Sequence, residues 1–219
     1  VANDAASLEA ARQLTPGQGV DFVELRLDAF AHQDQLDALR EAVPALSLPL
    51  LITARHPAEG GHGNLSAERR LELYHAFLPQ AGLLDLELRS STELPEIISQ
   101  ARHQDKLVVL SFHDFHGTPR VELLEDLATE ALQRGAHIFK VATTVNDLTA
   151  LNRLIRFAER GNKALPHGLA LMGMGKYGKV SRLLLAQHGS VLNYGSLGGT
   201  PVPGQWDARQ MAERLAELR

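Results

Sequence analysis

Short β-branched runs alternate with longer stretches of helical spacing from one end of the 219-residue chain to the other, and this predicts an α/β fold closed as a (β/α)8 TIM barrel. Two further observations favour that class. Ionisable residues gather at the C-terminal ends of the apolar runs and are sparse at their starts, which is where a barrel builds its site. No composition shift, repeat or low-complexity stretch divides the sequence, so a single barrel domain over 1–219 is expected. A doubly wound open sheet is the competing architecture, because it also alternates and tolerates seven strands.

The first helical pattern covers 4–14, followed by an alternating strand at 20–28 (VDFVELRLD) and a helix at 34–43. A compact apolar run at 49–55 (PLLITAR) reads as a buried strand, and Ser66 caps a helix over 66–80. Strand 83–88 (LLDLEL), helix 92–104, strand 107–113 (LVVLSFH) and helix 120–134 continue the order. Strand 136–142 (AHIFKVA) leads to a helix over 146–160 capped by Asn146, then come strand 167–172 (HGLALM) and helix 177–188. Strand 190–194 (SVLNY), a Gly/Pro-rich stretch from Gly195 to Gly204 long enough to be a lid, and a helix over 206–218 capped by Asp207 finish the chain. Eight helices thus face seven full strands, and an eightfold barrel requires its first strand to be reduced to a stub around Val1-Ala2.

Composition narrows the function. Zero cysteine excludes disulfides, thiolate nucleophiles, iron–sulfur clusters and Cys-ligated zinc, and fits a reducing, cytoplasmic compartment. A formal charge of -4 without a basic cluster argues against a nucleic-acid surface, and no apolar run approaches a membrane span or a signal peptide. Five lysines (106, 140, 163, 176 and 179) stand against seventeen arginines, which makes each lysine worth weighing.

At the predicted strand ends stand Glu24, Arg26 and Asp28; Arg55; Glu87 and Arg89; His113 and Asp114; Lys140; Met172 and Met174; Asn193 and Tyr194. Glu24, Arg26 and Asp28 are two apart, so the pleat points them to one face, either as a salt-bridge ladder in the barrel mouth or as part of a site. Lys140 interrupts Ile138-Phe139 and Val141-Ala142 inside a buried strand. Such an ammonium is either paired to a carboxylate or poised as an amine nucleophile for Schiff-base chemistry. His113, one strand earlier, suits proton transfer beside an imine or simply packs the rim. His113 and His116 are three apart but lack a third ligand at a recognisable spacing, so no metal is expected. Gly173-Met174-Gly175-Lys176-Tyr177-Gly178 matches G-x-G-x-x-G, yet 190–200 holds no acidic residue to bind a ribose, so no dinucleotide is expected. Those glycines, with Arg182 following, can instead face an anion.

Taken together the motifs resemble the type I 3-dehydroquinate dehydratases, over Glu24 to Gln205. Glu24-Leu25-Arg26-Leu27-Asp28 is similar to the family's E-x-R-x-D strand. Thr53-Ala54-Arg55 with Glu59-Gly60-Gly61 is similar to T-x-R-x-x-x-E-G-G. His113-Asp114-Phe115-His116 with Thr118-Pro119 resembles the histidine motif, and Lys140 stands 27 residues on, where the family has its imine lysine. Met174 to Gly178 with Ser181-Arg182 resembles M-x-K-x-G-x-x-S-R, and Pro203-Gly204-Gln205 the P-G-Q of the lid. Pro201 and Val202 stand where the family usually has Ser-Ala, with Thr200 as the nearest hydroxyl.

The resemblance implies a cofactor-free dehydration of 3-dehydroquinate to 3-dehydroshikimate. Lys140 forms the imine, His113 moves the proton, and Glu59 orients His113. Arg182 holds the substrate carboxylate, Glu24, Arg26 and Arg55 its hydroxyls and the rim, and Gln205 closes over it. It also implies a homodimer acting on a small molecule, with no membrane or nucleic-acid partner. A class I aldolase on the same barrel and a non-catalytic metabolite-binding barrel are the alternatives. The first needs a phosphate cradle after the last two strands, and the second predicts a missing lysine or histidine.

Overall fold

In a computed structural model, which describes residues 1–161, 168–198 and 204–218, six strands form one sheet in the order β1-β2-β3-β4-β5-β6. They are β1 (Val23–Arg26), β2 (Leu50–Thr53), β3 (Leu83–Glu87), β4 (Leu107–Asp114), β5 (Ile138–Thr144) and β6 (Leu169–Met174), and every neighbouring pair is parallel. Spatial order equals chain order, so each crossover steps the same way and the sheet curls toward a barrel. All eight expected helices are present: α1 (Ala5–Arg12), α2 (Gln33–Ala42), α3 (Ala67–Phe77), α4 (Pro95–His103), α5 (Val121–Gln133), α6 (Leu148–Gly161), α7 (Gly178–Gln187) and α8 (Ala208–Glu217). Among the described residues, no helix is long and apolar enough to cross a membrane.

Two thin segments complete the ring. The expected first-strand stub is real: Ala2 bridges Leu25 in parallel, its N–H donating to Glu24 O at 2.8 Å and its carbonyl accepting from Arg26 at 3.0 Å. At the other edge Val191 N–H donates to Leu169 O at 2.9 Å, and Val1 N donates to Gly195 O at 3.1 Å, which joins the two segments. The chain is thus a truncated (β/α)8 barrel. A cavity of about 510 Å³ lies beside this thin wall, reaching Phe22, Glu24, Asn193 and Tyr194.

Several local expectations are corrected. Residues 190–194 do not form a ladder strand, because side chains take the backbone partners: Leu171 N–H donates to Ser190 Oγ at 2.9 Å, and Asn193 Nδ2 donates to Ser190 O at 3.4 Å. The strand expected at 20–28 ends at Arg26, and Leu27–Phe30 turns as a 3₁₀ helix, which removes Asp28 from the pleat. Arg89 also lies in a turn and is exposed rather than at the mouth. Ser66 and Asp207 cap α3 and α8 as expected, but Asp147 rather than Asn146 accepts an N–H of the first turn of α6, from Ala150 at 2.8 Å. Asn146 Oδ1 is taken by Lys176 N–H at 3.1 Å. Of the expected lid, Thr200, Pro201, Val202 and Pro203 lie outside the described residues.

Strand alternation separates two environments. Ile52, Leu84, Leu86, Val108, Leu110, Phe139 and Val141 face outward and pack with the helices in one large apolar cluster. Each such side chain contributes about 1.5–3 kcal/mol by leaving water. The inward residues form a smaller plug of Leu51, Val109, Ile138, Ala142, Ala170, Met172 and Tyr194. One pleat toward the C-terminal ends from the plug's lower residues, the same inward rows turn polar, with Thr53, Asp85, Ser111 and Lys140.

Candidate active site

Register brings the polar row together. Thr53 pairs with Asp85, and Ser111 pairs with both Glu87 and Lys140. Lys140 sits at the third position of β5, deep in the barrel rather than at the strand's end, and is only 4% exposed. Its Nζ donates to Asp85 Oδ2 at 2.6 Å, lies 3.9 Å from Glu24 Oε1, and stands 4.3 Å above the Tyr194 ring. Asp85, fully buried on β3, also meets Arg55 in a two-pronged contact at 3.2 Å for each pair and accepts from Ser111 Oγ at 2.7 Å. Burial opposes its charge, but Arg55 and Lys140 hold its carboxyl far below the ordinary carboxylate range.

Arg55 reaches Glu87 Oε1 at 3.0 Å as well, and Arg70 from α3 meets Glu87 Oε2 at 3.3 Å. Three buried cations, Arg55, Arg70 and Lys140, therefore face three buried carboxylates, Glu24, Asp85 and Glu87. This balance lets so many charges leave water, since a buried charge without a partner costs several kcal/mol. Glu24 is satisfied sideways by Thr53 Oγ1 at 2.8 Å, not by Arg26. Arg26 instead forks onto Asp28 at 3.0 and 2.8 Å and donates to Gly60 O at 3.0 Å. The salt-bridge reading of the Glu24-Arg26-Asp28 triplet thus holds for its last two members, across the strand-to-turn boundary.

His113 lies one inward position above Ser111 on β4, in register with Ala142. Glu59, on the short turn after β2, accepts both the His113 backbone N–H at 3.1 Å and its Nδ1 at 2.9 Å, so the ring is held from two points. Phe115 stacks over the imidazole with centroids 6.5 Å apart. Burial, Arg55 and Lys140 push His113 well below the ordinary histidine range, so it is neutral near pH 7. Burial and the nearby Glu87 push Glu59 up to about 7. The couple therefore carries one labile proton near neutrality. With Nδ1–H given to Glu59, Nε2 is left with a free lone pair.

Arg182, on α7, is 7% exposed and donates to two carbonyls, Tyr194 O at 2.9 Å and Gly204 O at 3.3 Å. Among the described residues no carboxylate pairs with it, and burial lowers it to about 10. Gln205 follows Gly204 directly and is half-buried. The G-x-G-x-x-G segment finds its use here: Gly204 O lies 2.6 Å from where a Cβ on Gly178 would sit, and Gly204 also packs on Gly175. These glycines admit the backbone of Gly204 as the chain returns.

Lys140, His113, Glu59, Arg55 and Glu24 thus converge inside the barrel, Arg182 holds Gly204, the neighbour of Gln205, and Arg26 braces the turn carrying Glu59. Asp85 is the residue that the strand-end reading missed, because it lies two positions before its strand's end. Its signal was present, since an aspartate inside Leu83-Leu84-Asp85-Leu86 faces inward two residues from Glu87. Among the described residues no cluster of three or more His, Asp or Glu side chains is arranged to hold a metal ion.

A parallel barrel with a buried lysine and a histidine–carboxylate couple on its inward face, and an arginine on α7 without a carboxylate partner among the described residues, places the chain among barrels with a polar interior site. The sequence model described as Type I 3-dehydroquinase matches residues 1–219, and the chain belongs to that family. It is 35% identical over 202 residues to the 3-dehydroquinate dehydratase of Ignicoccus hospitalis, covering 91% of this chain and 86% of that one. With the enzyme of the same name from Thermodesulfovibrio yellowstonii it shares 32% identity over 195 residues, 89% of this chain and 84% of the relative. The crystal structure of the type I 3-dehydroquinate dehydratase from Clostridium difficile, with covalent modified comenic acid, superposes with a TM-score of 0.86 at 25% identity, covering 96% of this chain and 86% of that one.

Proposed function

We propose that the chain dehydrates 3-dehydroquinate to 3-dehydroshikimate through an imine on Lys140. The observation that carries this reading is the placement of His113, oriented by Glu59 at 2.9 Å, one inward position above the row that holds Lys140. The Lys140 amine adds to the substrate ketone, and loss of water leaves an iminium that draws electrons from the neighbouring carbon. His113 Nε2 removes a proton from that carbon and becomes imidazolium, which the ionised Glu59 stabilises. The same nitrogen then gives its proton to the departing hydroxyl, so water leaves from the face that lost the proton, a syn elimination. Hydrolysis of the imine frees the product and restores the amine. No step calls for a metal or a nucleotide. Arg182, without a carboxylate partner among the described residues, receives the substrate carboxylate. Glu24, Arg26 and Arg55 face its hydroxyls and shape the rim, and Gln205 closes from the lid.

A relative whose solved form carries a covalently modified compound fits a site of this kind. The test is borohydride reduction in the presence of substrate, followed by mass mapping. Lys140→Ala is expected to abolish trapping, and His113→Ala to keep trapping while losing turnover. Trapping on any other lysine refutes the assignment. A cytoplasmic homodimer belongs to the same reading; Val180 and Leu184, exposed one turn apart on α7, give it an apolar face, and light scattering at the single-chain mass would refute it.

A further inference from the structure

We propose that Asp85 is the counter-ion of the iminium, the group that keeps the Lys140 adduct protonated through the reaction. This rests on the imine chemistry proposed above and goes beyond it. Imine formation exchanges R–NH3⁺ and O=C for R–NH⁺=C and H2O, so the nitrogen carries one positive charge before and after. A carboxylate fixed on the ammonium therefore serves the iminium without moving.

Among the described residues, Asp85 is the carboxylate placed to do this. Its Oδ2 is 2.6 Å from Lys140 Nζ, and the carboxylate is held rigidly by Arg55 at 3.2 Å on each oxygen and by Ser111 Oγ at 2.7 Å on Oδ1. Below it, the fully buried Tyr74 hydroxyl donates to the Asp85 carbonyl at 2.7 Å and pins the strand. The other groups facing the nitrogen are committed or neutral. Glu24 is 3.9 Å away and bonded to Thr53. Glu87 divides its oxygens between Arg55 and Arg70. Burial and the nearby carboxylates, Glu24 first, keep the Tyr194 phenol neutral, and His113 is neutral because burial, Arg55 and Lys140 disfavour its charge. The Val1 amine, whose charge burial opposes, is felt by Lys140 and Glu24, and Arg70 is spent on Glu87. With Arg55 fixed on Asp85 itself, removing the Asp85 charge leaves the iminium beside a guanidinium with one carboxylate fewer.

An opposite charge this close shifts a partner by about 1–3 pH units. The 3-dehydroshikimate imine is conjugated to the ring double bond, so its protonation is read by absorbance. Wild-type enzyme loaded with 3-dehydroshikimate is expected to hold the protonated adduct to a pH about 1–3 units above that at which the imine of the same compound with a free amine loses its proton. In Asp85→Asn the adduct should lose its proton at a pH lower by about 2 units, a roughly hundredfold fall in the protonated-to-free ratio, while Asp85→Glu should restore much of it. Identical titrations of wild type and Asp85→Asn would overturn the proposal. Should Asp85→Asn fail to fold, the wild type still decides, because a wild-type adduct that deprotonates at the same pH as the free imine overturns it equally. If borohydride traps nothing on wild-type Lys140, the imine reading itself fails and the counter-ion with it.

Discussion

Replacing Glu59 by glutamine tests the His113–Glu59 couple through the pH dependence of its effect. The substitution keeps the shape and an acceptor for His113 Nδ1 at the observed 2.9 Å and removes only the charge. A hydrogen bond to a charged group nets about 1.5–3 kcal/mol against about 1 for a neutral one, so stabilisation of the imidazolium should fall by about 1.5 kcal/mol, roughly tenfold in rate. That loss exists only where Glu59 is ionised in the wild type. Its folded-state value is raised from 4.5 to about 7, so the free enzyme is mostly protonated there at pH 6 and mostly ionised at pH 8. The ratio of wild-type to Glu59→Gln kcat/KM should therefore climb from near unity at pH 6 to about ten at pH 8. The acid limb near 7 should disappear in the variant. Steady-state rates followed by the conjugated-enone absorbance measure this directly. A ratio that stays flat across that range refutes an ionising Glu59 as the support of His113, whatever its size.

Arg182→Lys should raise KM about 10–100-fold with a smaller change in kcat, because the planar fork that suits a carboxylate is lost; unchanged KM removes Arg182 from substrate binding. Gly178→Ala places a methyl 2.6 Å from Gly204 O and 2.7 Å from Gly204 Cα, and should loosen the lid end, raising KM and speeding proteolysis after Gly198. Wild-type proteolysis and KM in that variant would show that the glycine contact does not seat the lid. Tyr74→Phe removes a fully buried hydroxyl that donates to Asp85 O at 2.7 Å and accepts from Ala54 N–H at 3.0 Å. About 1–3 kcal/mol of stability should be lost in a urea titration, and an unchanged midpoint with unchanged slope would contradict that accounting.

The parallel order and all eight helices were legible because each rests on a local period, two for the strands and 3.6 for the helices, that tertiary structure had no reason to override. Residues 190–194 carry the same apolar alternation yet form no ladder, since Ser190 and Asn193 offer side-chain partners that compete with it. Asp28 was placed on the wrong element for a related reason: spacing of two continues past Arg26, but the chain turns at Leu27, and the fork from Arg26, with Arg55 N–H at 3.1 Å and His62 N–H at 2.9 Å, explains why it is buried. Lys140 stood out because it breaks an apolar run, and lysines are few. Asp85 breaks a similar run, but attention to strand ends passed over a residue in the strand's middle. Register decides the matter, for a pairing of Thr53 with Asp85 cannot be read from one strand alone.

The glycine segment 173–178 shows how a motif's residues survive a change in its meaning. Gly173 leaves room for Ser181, whose Oγ accepts the Gly173 N–H at 3.0 Å and donates to Gly178 O at 2.8 Å. Gly175 turns with φ of +75°, which glycine adopts without strain, and Gly178 admits Gly204. The first of these fixes α7 against β6, and the last brings Gly204 O to Arg182 Nε. Arg182 is thereby tethered at both carbonyls, yet its charge is left without a carboxylate among the described residues. A buried guanidinium in that condition is stabilised further by any anion that arrives, and one of the carbonyls that steadies it belongs to Gly204. A carboxylate bound at Arg182, as proposed above, draws on the same side chain that holds Gly204 O, so substrate affinity and the position of Gly204 are expected to change together.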